Sequence, residues 1–183
     1  MFDMSTFVEK CRAALSDAKP AQVIEGLIGE AIRDPEALRK AFQDAAGTDA
    51  TGPITFAFRD ETLTVADVTA APGLRSPVHN HNMWAVIGVY EGEEQNTFFR
   101  HQEGELKEMG QRLLRKGDIA LLGPEAIHAI ANPLPTASSA IHVYGGDLVA
   151  RAGRSMWNPN TMAREDYDIE QLSKYTRELS GVA

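Results

Sequence analysis

The stretch GLRSPVHNHNMWAVIGVYEG, Gly73–Gly92, decides how this chain is read. It carries two histidines, His79 and His81, one residue apart, after a Gly/Pro-rich approach and before a run of apolar residues. Side chains alternate across an extended strand, so this spacing predicts both imidazoles on one face. Two imidazoles on one face can offer ring nitrogens to a single metal ion. The alternative is two exposed or hydrogen-bonded histidines at the start of a strand. The run WAVIGVY is apolar at odd and even positions alike, which predicts a strand covered on both sides, by helices or by a second copy of the chain.

Outward from this stretch, ITFAFRD, LTVADVTA, QNTFFRHQ, LKEMG, GDIALLG, HAIAN and SAIHVYGG are short segments separated by Gly, Pro or charged turns. The whole HNMWAVIGVY run reads as one strand among them. Such spacing predicts an all-β sandwich or barrel. Before it, residues 5–46 repeat apolar positions at three- and four-residue intervals, as helices do. Asp34-Pro35-Glu36 is a helix start, with Asp as N-cap and Pro at the first helical position. Residues 47–53, GTDATGP, read as a break. After the strands, DIEQLSKYTRELSG reads as a helix, with a capping pattern at Asp168 and Gln171 and a stop at Gly181. The expected organisation is one domain over residues 1–183: a helical extension (1–50), a β-barrel (54–150) and a C-terminal segment with its helix (151–183).

Composition excludes several classes. The net charge of −8 argues against broad contact with nucleic acid or anionic lipid. No apolar run is long enough to span a membrane. MFDMSTFVEKCRAAL contains acids and lacks an unbroken apolar core, so it does not read as a secretory leader. The lone cysteine, Cys11, has no intrachain partner and reads as a buried helix residue. A cytoplasmic location is expected on these grounds.

Gly73, His79, His81, Ala85 and Gly92 stand at spacings that resemble the first motif of the cupin superfamily. Gly117, Asp118, Gly123, Glu125, His128 and Asn132 resemble its second. The resemblance implies a mainly β fold, the double-stranded β-helix or jelly-roll-like barrel, with a metal inside held by His79, His81 and His128. Ala85 stands where that family usually has a glutamate ligand, and Gly123 and Glu125 replace its usual proline and glycine. The implied ligand set is therefore three neutral histidines. Such a set leaves a divalent ion its full charge and open positions, which favours an anionic ligand. It does not name the metal, since zinc also accepts it.

In SAIHVYGGDL, Ser139–Leu148, His142 and Tyr144 share one strand face. This resembles the cysteine dioxygenase family of cupins, in which serine, histidine and tyrosine at alternating positions form a relay beside three-histidine iron. Ala140 takes the serine position, and Ser139 points the other way, so the relay is partial; packing against the strand is the other reading of His142 and Tyr144. HNHNMWAVIGVYEG resembles the bacterial thiol dioxygenases more than the animal enzymes. No cysteine lies near the motif to form the cysteine–tyrosine cross-link of the animal enzymes.

The resemblance implies a non-haem Fe(II) thiol dioxygenase that converts a small thiol carboxylate, of cysteine or mercaptopropionate type, to its sulfinate with O2. Zn, Ni or Mn in place of iron stays open. An arginine fork suits the substrate carboxylate. Arg59, at the end of ITFAFR, is the first candidate, and Arg151 and Arg154 are its rivals. Tyr144 would act as a hydrogen-bond donor with His142 holding its hydroxyl. Trp84 and Met83 are candidate pocket residues or core. His101 reads as a solvated loop histidine, Glu91, Glu93 and Glu94 as a polar turn, and Trp157 as a cover for the barrel mouth or a packing residue. Two further classes remain open: another metal-dependent cupin oxygenase, isomerase or hydrolase, and a non-catalytic cupin that binds a small molecule. Pairing of two copies is compatible with the two-sided apolar strands.

Overall fold

The computed structural model describes residues 2–45, 50–51 and 53–181. Three helices come first: α1 (Met4–Ala14), α2 (Pro20–Ala31) and α3 (Pro35–Ala45). Asp3 caps α1 by accepting from the Thr6 amide at 2.7 Å, and Asp34 caps α3 by accepting from Ala37 at 3.1 Å. Each satisfies one of the amides that a helix start leaves without a partner. The expected break at 47–53 lies largely outside the described residues.

Twelve strands follow among the described residues: β1 (Ala50–Thr51), β2 (Ile54–Arg59), β3 (Thr64–Ala70), β4 (His79–Asn80), β5 (Ala85–Glu91), β6 (Glu93–Gln102), β7 (Glu105–Arg115), β8 (Ile119–Leu122), β9 (Ile127–Ala131), β10 (Ser138–Tyr144), β11 (Ser155–Trp157) and β12 (Arg164–Asp166). They form two six-stranded sheets, ordered β1-β2-β3-β10-β5-β8 and β12-β11-β4-β9-β6-β7. All pairings are antiparallel, and sequence-distant strands lie side by side. The architecture is the double-stranded β-helix, mainly β, with helices at both ends of the chain. No helix among the described residues is long and apolar enough to cross a membrane.

The middle of the first sheet is buried on both faces. In β5 and β10, Val86, Tyr90, Ile141 and Val143 pack in one cluster with Ile24 and Ile28 of α2 and with Leu38 and Phe42 of α3. The alternate residues, Ala85, Ile87, Val89, Ala140 and Tyr144, pack in a second cluster inside the barrel. The N-terminal helices thus supply the cover that WAVIGVY required. Gly88 lets α2 approach: a Cβ there would overlap Ile28 Cγ2 and stand 3.3 Å from Ile32 Cγ2. Cys11 is fully buried in this layer, and burial pushes its thiol up to about 12.

One expectation fails here. HNMWAVIGVY is not a single strand. β4 ends at Asn80 and belongs to the second sheet, whereas β5 begins at Ala85 in the first. Between them the chain turns, with Asn82 in the left-handed region at φ 53° and its Nδ2 donating to Gly153 O at 2.6 Å. Asn tolerates that conformation better than most residues. His79 and His81 therefore do not share a strand face. β11 and β12 were also not foreseen; β11 pairs with β4 and holds Met156 opposite His79.

The last helix, α4 (Ile169–Ser180), starts at Asp168, which accepts from Gln171 N at 2.8 Å, and stops at Gly181 with φ 69°. Both ends match the sequence reading. Leu172 and Thr176 of α4 form part of the wall of the barrel cavity.

Candidate metal centre

His79, His81 and His128 converge although they come from three different local settings. His79 lies on β4 directly opposite His128 on β9, and His81 is carried back towards them by the turn. One ring nitrogen from each lies within 4.8 Å of the others, and all three residues are buried. The ring centroids are 4.8 to 5.1 Å apart.

Two of the remaining nitrogens are tied back. His79 Nδ1 lies 3.0 Å from Pro77 O, and His128 Nδ1 lies 2.8 Å from Asn96 Oδ1. Both partners are acceptors, so each Nδ1 donates and each Nε2 keeps its lone pair. His128 Nε2 is fully buried with no hydrogen-bond partner. A buried polar atom left open is costly unless something binds it. Burial lowers all three pKa values, His79 to about 4, so the rings are neutral and able to ligate at physiological pH. A divalent ion fits this donor set.

Around the cluster lies a cavity of about 70 Å³, bounded by Tyr144, His142 and Arg154 as well as the three histidines. The Tyr144 ring sits 5.0 Å from that of His81, and the Tyr144 hydroxyl lies 2.9 Å from His142 Nδ1. Burial raises the Tyr144 pKa well above its ordinary value, so it stays protonated. Pro53, Ile54, Leu74, Leu172 and Thr176 are shared with a wider outer groove of about 480 Å³ against α4. That groove adjoins the cavity along these residues.

Of the candidate arginines, Arg154 alone lines the cavity. It is buried, its guanidinium stacks 3.4 Å from the Tyr167 ring centroid, and its Nε donates to Asn80 O at 3.0 Å. Its Nη1 also donates to Leu148 O. Arg59 stays at the exposed end of β2, over Phe56 and 3.7 Å from Asp147 Oδ1, where no desolvation is required of it. Arg151 is exposed and donates to Asn82 O at 3.1 Å. Trp84 is half-buried against Gly145 and the helix-side core, outside the cavity lining. Met83 is core inside the barrel. His101 lies near the end of β6 as an exposed strand residue rather than a loop residue, its ring 5.6 Å from that of Trp157, which is buried in β11 away from the cavity.

Two residues of the site escaped the sequence reading. Glu94 is not in a turn. It is buried on β6, with one carboxylate oxygen 2.8 Å from Asn96 Nδ2 and the other 3.3 Å from His142 Nε2. Strand alternation was the available signal: Glu94, Asn96 and Phe98 share a face, and Phe98 stands opposite His128.

No protein-family model matches the chain. Similar solved structures include a double-stranded β-helix protein of unassigned function from Klebsiella pneumoniae (21% identity, TM-score 0.43, covering 62% of this chain and 91% of that one). The cupin domain of Cnp3 from Schizosaccharomyces pombe is 14% identical, with a TM-score of 0.44, over 56% of this chain and 67% of that one. Oxalate decarboxylase from Bacillus subtilis is 20% identical, with a TM-score of 0.40, over 48% of this chain and only 22% of its own. The activity of this chain is read from its own site, a cluster of three buried histidines inside a double-stranded β-helix.

Proposed function

We propose that the protein is a non-haem iron thiol dioxygenase acting on a small thiol that carries a carboxylate. The observation that carries the reading is the sharing of one small cavity by three neutral histidines and the buried Arg154. A buried arginine beside a cation site is unfavourable unless an anion joins them. A thiol carboxylate brings two negative groups: a thiolate, which is the metal-binding form of sulfur, and a carboxylate for the guanidinium fork. Bound ferrous iron supplies the redox chemistry by which O2 oxidises the thiolate to a sulfinate. The reaction balances without another reductant, since the one sulfur gives up the four electrons that reduce O2 and takes both oxygen atoms. The cavity is small, which favours a small substrate.

The test is oxygen uptake by protein loaded anaerobically with ferrous iron and offered a panel of thiols. Cysteine or mercaptopropionate should drive uptake, with one O2 consumed per sulfinate. Arg154→Gln should raise KM for carboxylate thiols about 10–100-fold, as expected for the loss of a charge-assisted bond, and leave thiols lacking a carboxylate unaffected. Iron bound at one equivalent with no uptake from any thiol would overturn the reading in favour of another metal-dependent reaction.

A further inference from the structure

Glu94 lies between the two polar systems of the barrel and touches both. One carboxylate oxygen meets Asn96, whose other end meets His128. The second meets His142, whose other end meets Tyr144. We propose that Glu94 is a positioning residue that sets the direction of every hydrogen bond from His128 to Tyr144, so that Tyr144 faces the cavity as an acceptor.

A carboxylate only accepts, so both of its neighbours must donate. Asn96 therefore turns its Nδ2 to Glu94 and its Oδ1 to His128. That oxygen requires the His128 proton on Nδ1, which leaves Nε2 as a bare lone pair, and Nε2 is the buried atom with no partner. On the other arm, His142 must carry its proton on Nε2. In the neutral ring Nδ1 is then an acceptor, and the Tyr144 hydroxyl at 2.9 Å donates to it. The tyrosine proton points away from the cavity, and the oxygen lone pairs point in. A serine in the Ala140 position could both donate and accept, and would leave the direction open; a carboxylate closes it.

The cavity thus presents an acceptor at Tyr144 and a cation at Arg154. A ligand spanning them carries an N–H or O–H donor as well as a carboxylate. This consequence for the substrate rests on the proposed function, whereas the direction of the His142 arm does not. The competing arrangement is a doubly protonated His142, which would donate on both sides and turn the tyrosine proton into the cavity.

The experiment is a two-bond proton–nitrogen correlation spectrum of the full chain labelled with 15N-histidine, metal-free and zinc-loaded, at neutral pH. His142 is assigned by the signal lost in His142→Gln. His142 should appear protonated on Nε2 alone and His128 on Nδ1 alone. Glu94→Gln can accept from only one of its two neighbours, so His142 should lose that signature or zinc should bind about 10–100-fold more weakly. A wild-type His142 protonated on Nδ1, or on both nitrogens, would overturn the proposal. So would a folded Glu94→Gln that keeps both the tautomers and the zinc affinity. If Glu94→Gln does not fold, the wild-type spectrum decides. Failure of the thiol reaction alone leaves these signals unaffected, so the two readings fail separately.

Discussion

β5 and β10 are buried on both faces, and the two faces do different work. On the helix side, Ile141 and Val143 pack with Val86 and Ile28, and the few polar groups satisfy one another. There Tyr90 donates to Asp67 at 2.7 Å, and Thr69 donates to the same carboxylate at 2.9 Å and meets Ser139 at 3.1 Å. On the barrel side, His142 and Tyr144 join a network that ends at His128, where one nitrogen has no partner at all. A closed polar network stabilises a layer. A network with one open end marks where a ligand belongs. One strand sequence encodes both, because residues two apart fall on the same side.

Crossed variants should break that division if it is false. His81→Ala should abolish metal retention altogether and leave the unfolding midpoint of the metal-free protein nearly unchanged. Gly88→Val should do the reverse. The added side chain has no room beneath Ile28, so overpacking should cost about 1–3 kcal/mol in denaturant unfolding, with metal stoichiometry retained. If either variant alters both properties equally, the two faces are not independent.

Acid should produce a smaller and graded difference. His79 is neutral in both states above 6.5. Below that, the unfolded chain takes up the proton first, while the buried ring resists until about 4. Stability of the metal-free protein should therefore fall as pH drops through that window, and His81 and His128 shift in the same direction. Asp67 opposes this, because burial raises its pKa and the folded state takes its proton more readily as pH falls. Thermal midpoints across the window should accordingly fall more steeply in Asp67→Asn than in the wild type.

Much of this was readable in the sequence, through local rules. Asp34, Asp168 and Gly181 act as the capping residues their types predict. The three histidines assemble at the positions the cupin-like spacings implied. The reason given for the pair was nevertheless wrong. His79 and His81 meet through a left-handed turn at Asn82 that carries the chain from one sheet to the other, and two-residue alternation cannot show a change of sheet. Arg59 was misplaced because strand position alone does not tell whether a terminal arginine turns inward or finds an outer partner such as Asp147. Glu94 was hidden by its company: Glu91 and Glu93 are the polar neighbours of a turn, and alternation groups Glu94 with Asn96 and Phe98 without telling which face is inward, which the pairing of Phe98 with His128 does. Long-range pairing supplied what local pattern could not.

The proposed metal centre is built from three imidazoles and no protein carboxylate. X-ray absorption of the protein loaded with one equivalent of zinc tests it most directly. Three imidazole nitrogens are expected at about 2.0–2.1 Å, reduced in number in His81→Ala. A first shell containing a carboxylate from the protein, or fewer than three imidazoles in the wild type, would contradict it.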